Sequence, residues 1–190
     1  MRERRDVFAK MIDQVAAEKP NAAVMAYAAG HLRESELATS VIRRKLGRLL
    51  VVDPDPDHLA LIQRDYGSLG LSMSCQSEAE LIGNSQDLGS FDLIYSPSLC
   101  DDNPDQIAKE LIASLFRQLK PQGKLLLSSY NERDRWGGFR EAVMNWDIQY
   151  RNRFKIHALT AGIHDRDLRS IRCDASPGHL TQYLLLERTK

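Results

Sequence analysis

Two apolar rhythms alternate along this chain, and their order carries most of its fold. Between residues 3 and 18, Val7, Phe8, Met11, Ile12 and Val15 recur at helical spacing with charges between them, which predicts an amphipathic helix. Pro20 and Asn21 end it. Ala22 to Ala29 is then a short apolar run without alternation that breaks at Gly30, as expected of a parallel strand covered on both faces. The order repeats. Helices are predicted over Leu32–Leu46, Pro56–Tyr66, Glu78–Ile82 and Pro104–Leu119. Strands are predicted over Arg48–Asp53, Leu71–Cys75, Phe91–Ser96 and Lys124–Tyr130. Alternation of this kind calls for a parallel sheet with right-handed crossovers. The tail departs from it. A helix is predicted from Trp136 to about Arg151, with Phe154–Ala161 extending it or starting another. Two apolar runs, Leu168–Asp174 and Leu180–Arg188, then flank Ser176-Pro177-Gly178, a turn signal that predicts an antiparallel hairpin. The expected fold class is therefore α/β: a doubly wound, seven-stranded, mostly parallel sheet with a C-terminal antiparallel hairpin and helices on both faces.

Composition narrows the picture. The 190 residues suit one domain, read as an N-terminal helix (1–20), a ligand-binding core (22–130) and a substrate-side helix with the terminal hairpin (131–190). Lys+Arg and Asp+Glu tie at 26 each, so no global field favours nucleic acid. Arg133, Arg135, Arg140, Arg151 and Arg153 cluster late and read as a solvated face. Cys75, Cys100 and Cys173 are odd in number, widely spaced and without His or Cys partners at ligand spacing. That pattern argues against a disulfide framework and a zinc site and suits a reducing compartment. No apolar run approaches the ~20 residues needed for a membrane span, and the cytoplasm is the expected location.

In a doubly wound sheet, ligands sit beyond the carboxyl ends of the strands. After the first strand stands Ala28-Ala29-Gly30-His31-Leu32-Arg33-Glu34, in which Gly30 lets the backbone turn and approach a ligand. After the second stands Asp53, 23 residues beyond Gly30, where an acid can accept hydrogen bonds from two ribose hydroxyls. An ordinary turn and a helix-capping aspartate are the competing readings, since Asp-Pro-Asp-Pro is good turn chemistry. Gln76-Ser77-Glu78-Ala79 follows the third strand, where an adenine edge can lie. Tyr95 to Asp102 follows the fourth, with Asp101 and Asp102 read chiefly as helix caps and otherwise as groups acting on a substrate proton.

At these residues the chain resembles the class I S-adenosylmethionine-dependent methyltransferases over roughly residues 22 to 188. Val24-Met25-Ala26-Tyr27-Ala28-Ala29-Gly30 aligns with the family's first motif, and Leu49-Leu50-Val51-Val52-Asp53 with its second. Ser77-Glu78-Ala79 falls near its adenine-side acid and Phe91-Asp92-Leu93-Ile94-Tyr95 on its fourth motif. Leu119-Lys120-Pro121-Gln122-Gly123-Lys124 is similar to the turn that introduces its fifth strand. The departures lie in the first motif, which has Ala26 in place of an acid and Ala28 and Leu32 in place of glycines.

The resemblance implies methyl transfer from S-adenosylmethionine to a small-molecule or acyl carboxylate acceptor. It implies that Tyr27, Ala28, Gly30 and His31 wrap the methionine part and that Arg33 pairs with its carboxylate. Asp53 would take the ribose, Pro54 the adenine face, Ser77 and Glu78 the base edge, and Ser96 would lie near the methyl. Tyr130, Trp136, Tyr150 and Arg151 would line the acceptor pocket. A carboxylate acceptor needs no general base, which suits a sequence with no evident catalytic dyad. Only about one helix precedes the first strand, so a rather open site is expected. The Val7, Met11, Val15 stripe is available either to a homodimer seam or to the chain's own sheet, with its own sheet the favoured reading. Two other classes compete. One is a non-catalytic domain that binds the same cofactor, consistent with the depleted first motif. The other is a nicotinamide-dependent oxidoreductase, against which stand the glycine-poor loop and the terminal hairpin.

Overall fold

The computed structural model describes residues 2–83, 88–132 and 148–190. Trp136, Trp146 and most of the helix predicted over Trp136–Arg151 lie outside them, while Ile148 to Arg151 are irregular. Seven strands form one sheet: β1 (Ala23–Tyr27), β2 (Arg48–Asp53), β3 (Ser72–Cys75), β4 (Phe91–Ser96), β5 (Leu119–Tyr130), β6 (Leu168–Ala175) and β7 (Thr181–Arg188). Their order is β3-β2-β1-β4-β5-β7-β6. The β1–β2, β1–β4, β2–β3 and β4–β5 pairs are parallel, and β7 runs antiparallel to both β5 and β6. The predicted hairpin is thus present, with its second strand inserted beside β5.

The central strands are buried on both faces, which is why their sequences do not alternate. Met25, Tyr27, Leu50, Val52, Ile94, Leu125, Leu127, Leu184 and Leu186 point into one core. There they meet α4 (Glu78–Ile82), α6 (Asp105–Arg117) and α7 (Arg153–Ala158) through Leu81, Leu111, Leu115 and Ile156. Val24, Ala26, Leu49, Val51, Leu93, Tyr95 and Leu126 point into the other. That face is covered by α1 (Arg2–Glu18), α2 (Thr39–Ile42) and α3 (Pro56–Tyr66). Phe8, Ile12 and Val15 of α1 are buried, and Val7 and Met11 pack beside them, so the stripe is spent on the chain's own sheet.

One helix is corrected. Leu32–Leu46 is not continuous: Arg33–Glu36 is a 3-10 turn, and only Thr39–Ile42 is α-helical. Leu32 sits at φ 51°, outside the helical basin. The Asp13 carboxylate of α1 accepts the backbone N–H groups of Thr39 and Ser40 at 3.0 and 2.7 Å, giving the short helix its start from another element. Tertiary anchoring overrides the apolar period here.

The Pro121-Gln122-Gly123 turn lies within β5. A Cβ on Gly123 would stand 2.8 Å from Lys120 O and 2.9 Å from Phe91 O, so the glycine permits the β4–β5 approach. Gly123→Ala is expected to lower stability by about 1–3 kcal/mol, read as a drop in the urea midpoint at unchanged slope.

Candidate functional site

Strands β1, β2 and β4 run parallel, so the loops that follow them meet along one edge of the sheet. The loop after β1 alternates into the left-handed region at Ala28 (φ 45°), Gly30 (φ 58°) and Leu32 (φ 51°). Two of these are not glycine, and each such residue costs about 1–2 kcal/mol. The loop is held nonetheless. Ala28 N–H donates to Val52 O at 2.9 Å, Ser98 Oγ donates to Ala28 O at 2.8 Å, and the Leu32 side chain is fully buried. Gly30 faces open space: a Cβ added there would meet no atom within 4 Å. The backbone bend of a glycine-rich turn is kept at positions that have lost their glycines.

Asp53 closes β2 and is 2% exposed. Its Oδ1 accepts Asp55 N–H at 3.0 Å and lies 3.3 Å from His58 Nδ1, which fixes the carboxylate. The His58 ring lies 5.9 Å from that of His31. Burial pushes the Asp53 carboxyl above its ordinary range, against the opposing Asp55 N–H bond and His58 charge. Tyr27 lies beneath, buried. Its phenol is pushed up by burial and by the charges of Glu78, Asp53 and Asp102, three acids contributed by three different post-strand segments.

The other predicted residues divide clearly. A cleft of about 490 Å³ opens between the first turn of α1 and the loops after β1 and β4, and Ala28, Gly30, His31, Arg33 and Tyr130 line it. His58 lines it too and links it to Asp53. Ser96 is fully buried, and its Oγ accepts Leu99 N–H at 3.1 Å to start α5 (Leu99–Asp102). Pro54 is half-buried and outside the cleft wall. Ser77 forms a capping box with Glu80 at the head of α4, which uses its hydroxyl, while Glu78 is half-buried in that helix's first turn. Trp136 lies outside the described residues.

Two acceptor-pocket expectations sit elsewhere. Tyr150 is half-buried and does not line the cleft. Arg151 is 1% exposed and structural. Its guanidinium donates to the carbonyls of Cys100 and Asn103 and pairs with Asp105 at 2.8 Å, clasping the segment after β4. No donor is left over from that set for a ligand. The paired Asp101 and Asp102 also separate. Asp101 is wholly buried and bonded to Arg4 Nη1 at 2.7 Å and Tyr130 N–H at 2.8 Å, while Asp102 lines the cleft.

Three cleft residues on α1, Arg4, Arg5 and Phe8, and one after β1, Glu34, were not singled out from the sequence. The first helix therefore walls the cleft, and the short N-terminal segment closes more of the site than its length suggests. Glu34 is buried and accepts Tyr95 Oη–H at 2.7 Å. Burial pushes its carboxyl up to about 6 against an ordinary 4.5, with the Tyr95 bond and Arg5 pulling it down. The folded chain thus holds this proton more tightly than the unfolded chain, and stability falls as pH rises from about 4.5 to 6. Glu34→Gln keeps the Tyr95 bond and removes the titration. It is expected to be more stable than wild type by up to about 2 kcal/mol at pH 7, with the difference gone below about pH 4.5, in urea unfolding across pH.

No family model matches the chain, and no curated protein matches it in sequence. Solved structures do match it in fold. A possible exported protein from Bordetella parapertussis superposes with a TM-score of 0.74 at 18% identity, over 100% of this chain and 68% of that one. The CurJ carbon methyltransferase gives 0.76 at 12% identity, over 98% of this chain and 54% of that one. Magnesium protoporphyrin IX methyltransferase from Synechocystis, solved with bound S-adenosylhomocysteine, gives 0.63 at 12% identity, over 96% and 84%. At these identities the likeness is one of architecture. With its strand order β3-β2-β1-β4-β5-β7-β6 and its reversed seventh strand, the chain has the class I S-adenosylmethionine-dependent methyltransferase fold.

Proposed function

We propose that the chain binds S-adenosylmethionine across the ends of β1 and β2 and transfers its methyl to a small-molecule or acyl carboxylate acceptor. One juxtaposition carries this reading. A left-handed loop with open space before Gly30 stands beside the fixed, buried carboxylate of Asp53, at the switch point of the sheet. The residues present fit the cofactor. Ala28, Gly30 and His31 would hold the methionine part, Arg33 its carboxylate, and Asp53 the ribose hydroxyls, with Pro54 and Glu78 on the adenine side. The cofactor supplies an activated methyl on a sulfonium with a good leaving group. The chain's own work is then positioning and exclusion of water. The apolar walls of Phe8, Ala29 and Pro97 and the Tyr130 ring serve the second task.

Ala28 and Leu32 at glycine positions favour a second reading, a domain that binds the cofactor and transfers nothing. Neither reading needs a membrane: no helix among the described residues is long and apolar enough to cross one. We place the chain in the cytoplasm, where its three free cysteines are chemically at ease.

Calorimetric titration with S-adenosylmethionine, S-adenosylhomocysteine and NAD tests the proposal. Binding of the first two and not of NAD is the expected result. Absence of both would end it, and binding without turnover on any acid tested would select the second reading.

A further inference from the structure

Arg4 carries the strongest unassigned chemistry in the molecule. Its side chain is nine-tenths buried, in the wall of the cleft, with the guanidinium 4.0 Å above the Tyr130 ring. Among the described residues only one of its nitrogens is bonded: Nη1 donates to Asp101 Oδ2 at 2.7 Å and to Pro97 O at 3.0 Å. Nε and Nη2 are buried and have no hydrogen-bond partner among the described residues. A buried donor without an acceptor is rare in folded proteins and points to something that fills the place. The Tyr183 hydroxyl, which feels the Arg4 charge, is buried and unpartnered in the same way.

Nε and Nη2 form the side-on fork of an arginine, whose two parallel N–H groups match the two oxygens of a carboxylate. Asp101 occupies the end of the guanidinium and leaves this fork, buried as the cleft stands, without an acceptor among the described residues. The surroundings suit an acid. Among the described residues, Arg5, Arg33, His31 and His58 share the lining with two carboxylates, Glu34 and Asp102. Arg4 also reaches Pro97, directly after β4, on the side of the cleft away from Asp53.

We propose that the Nε–Nη2 fork of Arg4 binds the carboxylate of the methyl acceptor, and that the acceptor is an amphipathic acid whose apolar body lies on Phe8 and Pro97. This rests on the methyl-transfer reading above. A carboxylate held side-on uses one lone pair of each oxygen on the fork and keeps another free. One oxygen then attacks the methyl carbon, the new O–CH3 bond forms as the S–CH3 bond breaks, and the electron pair returns to sulfur. No proton is moved. The ester product is neutral and loses the charge-assisted bonds to the fork, which favours its release.

The test is an NMR titration of the 15N-labelled chain, with and without S-adenosylhomocysteine, using phenylacetate, benzoate and octanoate and the methyl ester of each. At least one acid should shift the Arg4 Nε–H signal and bind about tenfold or more tighter than its ester. Arg4→Lys keeps the charge opposite Asp101 but has no fork, so it should lose that preference while retaining its S-adenosylhomocysteine affinity. Equal binding of acid and ester, no binding of any acid, or an Arg4→Lys chain that still prefers the acid would each overturn the proposal. Failure of the cofactor reading is seen separately, as no S-adenosylhomocysteine binding to wild type.

Discussion

Asp101→Asn is expected to destabilise the chain by about 3–5 kcal/mol, a large share of the 5–15 kcal/mol that typically holds a domain together. The replacement is nearly isosteric, so the loss is electrostatic. Asparagine Oδ1 can still accept the Tyr130 N–H, but its amide N–H2 then faces Arg4 Nη1, donor against donor. Burial works against the Arg4 charge, while the Asp101 carboxylate, together with Tyr130 and Tyr183, holds the guanidinium ionised. Without that carboxylate a positive charge is left in the cleft wall with the Pro97 carbonyl and the Tyr130 ring as its neighbours. Urea unfolding at pH 7 measures the cost. A change below about 1 kcal/mol would mean that the pair is exposed enough to be replaced by water. Arg4→Met with Asp101→Leu, which removes both charges, should recover most of the stability.

Asp53→Ala should weaken S-adenosylhomocysteine binding about 100-fold or more. On the proposed geometry two ribose hydroxyls donate to an ionised carboxylate, and bonds to charged groups contribute about 1.5–3 kcal/mol each. The sum, about 3 kcal/mol at the low end, is two decades in affinity. Asp55 and His58 hold the carboxylate in place before any ligand arrives, so little ordering is required on binding. Since burial raises the Asp53 carboxyl, affinity should also begin to fall on acidification at a higher pH than for an ordinary aspartate. The measurement is a calorimetric titration of wild type and mutant at pH 7, then of wild type down the acid range. An affinity unchanged in the mutant would place the nucleoside elsewhere.

How much of this was legible in the sequence differs by element. Strands buried on both faces announce themselves as unbroken apolar runs, and the Pro-Gly turn marked the reversed hairpin, so the sheet could be read almost strand by strand. The helix after β1 could not. Its apolar spacing is genuine, but the backbone is set by a left-handed Leu32 and by Asp13 from another helix, neither of which local spacing records. The same cause hid the ligand loop, because Ala28 and Leu32 adopt a bend that their side chains disfavour. Arg151 was misassigned because a buried arginine that clasps backbone carbonyls and one that binds a ligand have the same sequence signature. Arg4 was missed although a signal existed. In the charged stretch Arg2-Glu3-Arg4-Arg5, Arg4 and Arg5 both fall in line with Phe8, Ile12 and Val15, at first steps of four and three, and so border the apolar stripe. A charge at an inward position of a helix marks a buried ion pair.

Phe8 has a further consequence. Its ring meets Tyr95 at 5.4 Å and Tyr183 at 6.5 Å, so the first helix rests on strands made much later. Residue 183 leaves the ribosome 175 residues after residue 8. At about 5–20 residues per second that is a wait of about 9 to 35 s, during which the apolar stripe of the helix lacks the part of its cover that β7 supplies. The seat of Phe8 is therefore completed only when β7 is made, and a nascent chain halted before β7 would leave the Tyr183 side of that ring open to whatever chaperone is at hand.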